Sequence, residues 1–587
     1  MMKTFLFIIV MMTAALTVNA QYSQQLLVKA QSGDATAQYE LGKCYYDANG
    51  IERDYAKAYE WFYKAAEQHN ANAQNMIGIC HYNGNAVAQD YKKAAEWFEK
   101  SAKNNLPVAQ YNLAYTFDIG LGVEQNDSLA LYWYQESAQS GNADALNTIG
   151  MFYYKGRGGL MQNYKKALVF FKESALKGNK SAQSNTGFCY KNAYGTEENP
   201  DSAFFYYKKS AEQDDADAQN IIGECYENGY GVEVNLTLAV EWYRKAAEKD
   251  NSEGQRNLGR CYCTGNGVKQ DYSTGFNWIE KAAQQGNIKA QYYLGLCYLN
   301  GNGTIQNYTK ANEWFRKSAE QGNADAQVNL SFSYLNGVGV EKNADEAFKW
   351  SQKAAQQGDS QGQFNMGVFY ENGFGTHQDY KLAAQWYQKA VEQNFGNAMN
   401  NLGNLYKEGN GVKQDYNKAI ELFKKAIGQD NYMAMANLGE LYYLGKGVKQ
   451  DYKTAVEWFL KAKEDKIAVA YLYLGECYSE GKGVKKNAET SFRYYLEGAQ
   501  EGNTKAQYKV GFCYETGFGT MKDYNKAFLW YRNAADSNHA DAQYQMGLCC
   551  LNGIGTDINV DFAKGWLKKA ADNGSEKAAA KLKEIDK

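Results

Sequence analysis

The stretch Ala37-Gln38-Tyr39-Glu40-Leu41-Gly42-Lys43-Cys44-Tyr45, followed by Ala58-Tyr59-Glu60-Trp61-Phe62-Tyr63-Lys64-Ala65-Ala66, decides the reading of the whole chain. In each half the recurring residues fall three or four apart, the spacing that gathers them on one face of a helix. The two halves are therefore read as a helix pair. Working outward from Leu41-Gly42, a glycine returns at 78, 150, 187, 223, 259, 295, 367, 403, 439, 475, 511 and 547, with Ala114 and Ser331 in the two remaining places. The period is 36 residues, lengthened once to 37 where the loop Lys155-Gly156-Arg157-Gly158-Gly159 carries an extra residue. Fifteen units fill residues 33–573. Such a period marks a stacked array, in which each helix pair buries its apolar face only against its neighbours.

The punctuation agrees. A Gly-x-Gly-Val turn such as Gly265-Asn266-Gly267-Val268 or Gly481-Lys482-Gly483-Val484 separates the halves, and glycine at positive φ ends the first helix. Units are joined by Gly-Asn, as at Gly286-Asn287 and Gly322-Asn323, or by Asp, Asn, His or Lys in the glycine's place; Lys466 suits the left-handed conformation poorly. Both prolines of the chain, Pro107 and Pro200, fall at helix starts, where a missing N–H costs little. At about 150 residues per domain the length would suggest three or four domains, but here it counts stacked units. The 63 basic and 66 acidic residues nearly cancel, so no whole-chain field attracts nucleic acid.

All eleven tryptophans (Trp61, Trp97, Trp133, Trp242, Trp278, Trp314, Trp350, Trp386, Trp458, Trp530 and Trp566) occupy one slot of the second helix. Phe170, Tyr206, Leu422 and Tyr494 fill that slot elsewhere. The slot is read as core, with truncation to Ala costing roughly 3–5 kcal/mol locally, and not as an aromatic ligand box. Nine of eleven cysteines, among them Cys44, Cys80 and Cys549, likewise share one slot of the first helix. Equivalent slots in adjacent units lie at least a helix-packing distance of about 8–10 Å apart, too far for a disulfide, so buried thiols are expected. His69, His81, His377 and His539 fall at four different slots and are read as surface or turn residues. No cofactor or metal site is expected, nor any catalytic residue.

The pattern Ala-x-Ala-Gln-x-x-Leu-Gly-x-Cys-Tyr-x-x-Gly-x-Gly-Val-x-x-Asp-Tyr-x-x-Ala-x-x-Trp-x-x-Lys-Ala-Ala resembles the Sel-one-like repeat (SLR), a relative of the tetratricopeptide repeat. The resemblance runs from about residue 24 to the end. It implies an all-α, right-handed superhelical α-solenoid of about fifteen 36-residue helix-turn-helix repeats, whose concave groove serves as a scaffold or adaptor for protein or peptide partners. Some SLR proteins pair two cysteines within each unit; this sequence has one per unit, and the feature is not carried over. Some exported SLR proteins are described as penicillin-binding or β-lactamase-like, and others act in endoplasmic reticulum quality control, which leaves two alternatives to a plain exported scaffold. No Ser-x-x-Lys with the right neighbours supports the first.

Met1-Met2-Lys3, an apolar run from Phe5 to Leu16, and Val18-Asn19-Ala20 read as a signal peptide over residues 1–20. The mature chain is thus expected to be exported, periplasmic or secreted, and not inserted in a membrane. Residues 21–32 read as a capping half-repeat and 574–587 as a capping helix.

If binding follows the first helices, the slot before the recurring leucine is informative. It holds Asn112, Asn185, Asn257, Asn329, Asn365, Asn401 and Asn437. Such a ladder would hydrogen-bond an extended peptide backbone; alternatively, the asparagines bond the neighbouring helix and hold the stack. The same face continues through Asn404, Glu408, Glu440, Tyr473, Glu476 and Glu480, an acidic patch suited to a basic or amine-bearing segment.

Overall fold

A computed structural model describes residues 21–585, so the expected signal segment lies outside the described residues. Among the described residues there are 32 α-helices, one 3-10 turn at Lys463–Asp465, and no strand. The described residues form two units, 21–290 with 302–304 and 291–301 with 305–585. Within each, helices alternate in antiparallel pairs, and every second helix lies between its own first helix and the first helix of the next repeat. In the second unit the first helices Ala324–Asn336, Ser360–Asn372, Gly396–Glu408, Tyr432–Leu444, Ala468–Glu480 and Thr504–Thr516 also touch one another in sequence. They form the more tightly packed side of that unit.

Each helix is short, and its ends are fixed by side chains. Asn70 accepts a hydrogen bond from the Ala73 N–H at 3.0 Å to start Ala71–Asn83, which ends at Gly84 with φ +76°. Asp90 accepts from Lys93 N–H at 3.0 Å to start Tyr91–Lys103. The Asp or Asn before each second helix is thus an N-cap worth about 0.5–2 kcal/mol. Pro107 and Pro200 stand in the first turn of their helices. The second glycine of the turn has a separate task. A Cβ on Gly483 would lie 2.5 Å from the Tyr452 carbonyl carbon and 2.8 Å from Lys453 N, so this glycine admits the backbone of the preceding repeat.

The core slot is one residue beyond the tryptophan. Phe62, Phe98, Tyr134, Phe171, Tyr243 and Phe459 are buried, and each ring lies over the small residue of the recurring Leu-Gly or Leu-Ala pair. A Cβ on Gly439, for example, would meet Phe459 Cε1 at 2.7 Å. Of the tryptophans only Trp350 and Trp566 are buried; the other nine are half-buried, which corrects the expectation that their slot is core. One residue along a helix turns the side chain by about 100°, which carries the tryptophan from the intra-repeat core to the joint. Trp97, for instance, packs against the cluster that joins Ala58 and Phe62 of the preceding repeat to Ala73 of its own. Nine tryptophans are covered by the lysine three residues on; the extremes are Lys317 over Trp314 at 3.8 Å and Lys461 over Trp458 at 4.5 Å from the ring centroid.

The repeat at residues 324–359 departs from this scheme. Ser331 replaces the glycine and Ser351 the ring, their hydroxyls 2.7 Å apart, while Ser331 also donates to Ala347 O at 2.7 Å. Trp350 is drawn inward, with its Nε1 buried and unpartnered.

His81 is a further correction. It is buried, not at the surface, with Nε2 3.3 Å from the Tyr59 hydroxyl. His539 caps Ala540–Asn552 through Nδ1 and stacks on Tyr508, while His69 sits at a turn with φ +60°. The cysteines of the shared slot are buried.

Candidate binding surface on the first helices

All eight proposed groove residues lie on first helices of the second unit, and most of them spend their polar atoms within the stack. Asn437 donates from Nδ2 to Asn400 Oδ1 at 2.9 Å, Asn400 donates to Asn401 Oδ1 at 3.1 Å, and Asn401 donates to the Tyr387 hydroxyl at 3.1 Å. Tyr387 in turn donates to Glu371. The relay crosses three repeats with every hydrogen bond pointing the same way. The other unit repeats the motif, with Asn112 donating to Asn75 at 3.0 Å, Asn185 to Asn147 at 2.9 Å and Asn257 to Asn220 at 2.9 Å. Asn329 instead bonds Asp325 O of its own helix, and Asn365 accepts from Gln361. Much of the asparagine ladder is therefore a seam between repeats.

The acidic end is built differently. Lys407 Nζ reaches Glu440 Oε2 at 2.7 Å, and the Tyr473 hydroxyl donates to Glu440 Oε1 at 2.7 Å. Burial would raise the Glu440 carboxyl, but the Lys407 charge and these hydrogen bonds outweigh it and hold the group below the ordinary glutamate value. Tyr473 stacks on Phe459 at 5.0 Å between centroids. Asn404 keeps a buried Oδ1 without a partner. Glu476 is half-buried, and among the described residues no side chain bonds its carboxylate. Burial raises its proton affinity, Glu480 adds to the effect, and Lys509, Lys482 and Lys505 oppose it. Glu480 itself is tied to Lys482 at 2.7 Å.

The sequence reading missed the acids that serve the buried tyrosines. Tyr134 donates to Asp118, Tyr243 to Glu227, Tyr387 to Glu371 and Tyr531 to Glu515, always 16 residues back on the paired helix. Repeats with Phe62, Phe98 or Phe459 in this slot carry Tyr46, Tyr82 or Tyr443 at the acid's position. Tyr207 and Tyr495 have Lys191 and Ser479 at that position, so this internal covariation was a partial signal.

A family model described as Sel1 repeat matches fifteen successive segments, from residues 35–70 to 540–575. The chain belongs to the Sel1-repeat family. This Sel1-repeat chain is similar to the crystal structure of a protective antigen of uropathogenic Escherichia coli displaying an SLR fold. The identity is 28% and the TM-score 0.62, over 84% of this chain and 97% of that one. It is also similar to a Sel1 repeat protein from Oxalobacter formigenes, at 31% identity and a TM-score of 0.39, over 42% of this chain and 96% of that one. No curated protein matches it. Sel1-repeat and related solenoids generally mediate protein–protein interaction.

Proposed function

We propose that this Sel1-repeat chain is a non-catalytic, exported scaffold that binds a protein or peptide segment along the first helices of residues 324–516. The observation that supports it most is Glu476. A half-buried carboxylate without a side-chain partner costs free energy, and an ammonium or guanidinium from a partner would recover it. Phe332, 59% exposed and two repeat periods before Asn404 on the same helix face, adds an apolar contact. The expected partner segment is therefore extended, with a lysine or arginine near Glu476 and an apolar residue toward Phe332. Peptide-array binding by the mature chain tests this. Glu476→Gln is expected to lower affinity for basic peptides about ten-fold, the loss of one charge-assisted hydrogen bond. Retention of full affinity by both Glu476→Gln and Phe332→Ser would refute the site. Export is tested by sequencing the N-terminus of the protein recovered from its native host, which should begin at Gln21.

A further inference from the structure

In residues 305–587 the turns that join first to second helices carry a run of lysines along one edge. Lys413, Lys446, Lys449, Lys485, Lys486 and Lys522 are all exposed. Among the described residues no carboxylate pairs with any of these six, and Lys446 leans over the Tyr416 ring at 5.8 Å. A seventh, Lys482, is already held by Glu480 and the Tyr443 hydroxyl. From the turn at Lys413 to the turn at Ile558 the acids are Asp415, Asp451 and Asp523, which accept backbone N–H groups as helix caps, and one exposed carboxylate, Asp557.

The repeat pattern does not require these lysines. The corresponding turns in residues 21–290 carry, caps aside, five acids, Glu52, Glu124, Glu197, Glu198 and Glu233, against three bases, Arg53, Arg157 and Lys269. The lysine edge also ends in protruding apolar side chains: Met521 is 89% exposed and Ile558 67%, with Val560 and Phe562 exposed beside Ile558. A soluble polyanion would engage the lysines and leave these tips in water. A bilayer interface engages both, because lysines are drawn to its negative surface potential and apolar tips enter the headgroup boundary. No helix among the described residues is long and apolar enough to cross a membrane, so the contact is peripheral. We propose that the edge formed by the turns from Lys413 to Ile558 docks on an anionic phospholipid surface. This goes beyond the binding of a partner along the first helices.

Flotation of the mature full-length chain with vesicles tests the assignment. Binding to phosphatidylglycerol–phosphatidylcholine vesicles is expected at low salt, and none to phosphatidylcholine alone. It should be released toward 1 M salt, where the Debye length falls to about 3 Å. Each lysine near such a surface contributes roughly five-fold, so the triple variant Lys449→Glu, Lys485→Glu, Lys522→Glu should lose more than about 100-fold. Met521→Ser with Ile558→Ser should lose several-fold, while Lys92→Glu, Lys165→Glu, Lys424→Glu should bind as the parent does. All these positions are exposed, and an unchanged circular dichroism melt checks folding. The proposal is overturned by absence of binding at low salt, by equal losses in the two triple variants, or by tight heparin binding without any vesicle binding.

Discussion

Asn437 and Asn400 stand on first helices of adjacent repeats, and the amide of one donates to the carbonyl of the other at 2.9 Å. Asn400 is 6% exposed, so its oxygen has little access to water if that donor is removed. Asn437→Ala should destabilise the chain by about 1–3 kcal/mol, the cost of a buried unsatisfied acceptor. Asn365→Ala, which removes only a contact with Gln361 on its own helix, should cost less than about 0.5 kcal/mol. Urea melts of the two variants check the difference; equal effects would mean that the ladder is not a seam.

The ring beside each tryptophan, not the tryptophan, fills the core of its repeat. Phe459→Ala is expected to cost about 3–5 kcal/mol, because it empties the space over Gly439. Trp458→Ala should cost less, as the half-buried indole forfeits part of a joint and the covering Lys461. Thermal unfolding of both variants decides the order.

Glu440 and Glu476 give opposite pH responses. The Glu440 carboxyl is depressed in the folded chain, so its stabilisation is present at neutral pH and is lost as pH falls through that lowered value. Glu476 is raised, so its charge destabilises the folded chain above the ordinary glutamate value of about 4.3, and protonation relieves this as pH falls. Glu476→Gln should therefore be more stable than the parent at pH 7 and equal to it below about pH 4. Denaturant midpoints across that range measure it.

Burial pushes the Cys80, Cys477, Cys513 and Cys549 thiols up to about 12 and those of Cys189, Cys225 and Cys261 up to about 11. A thiol reagent at neutral pH should label the native chain slowly and at Cys263 first, the one half-exposed cysteine. After denaturation all eleven should react. A denatured titration with most thiols blocked would contradict this.

Lys466 holds φ +54° at the joint after Lys463–Asp465. Lys466→Gly should stabilise the chain by about 1 kcal/mol, since a non-glycine residue in this region costs roughly 1–2 kcal/mol. A melt that does not rise would place the strain elsewhere.

The repeat period, the helix pair and the turns were legible because each depends on local chemistry that recurs fifteen times. The core slot was less legible because constancy and burial parted company. The joint accepts a large amphipathic indole in eleven of the fifteen repeats, so the tryptophans stand out. The core accommodates Phe62, Tyr134, Ile279 and Leu567 by compensating changes across the pair, and so looks variable. At the candidate surface, residue type alone could not tell an asparagine bonded to its neighbour from one offered to a partner. Asn437 and Asn329 read alike and are held differently.

The serine pair of residues 324–359 bears on how the chain comes apart. A stack held only by nearest neighbours fails where one link is weakest, and this repeat alone has hydroxyls in place of a ring. Under heat or force, opening should begin there and leave folded blocks on either side. One pair of serines would thus set the lengths of the pieces in which the array melts, as a scored line sets where glass parts.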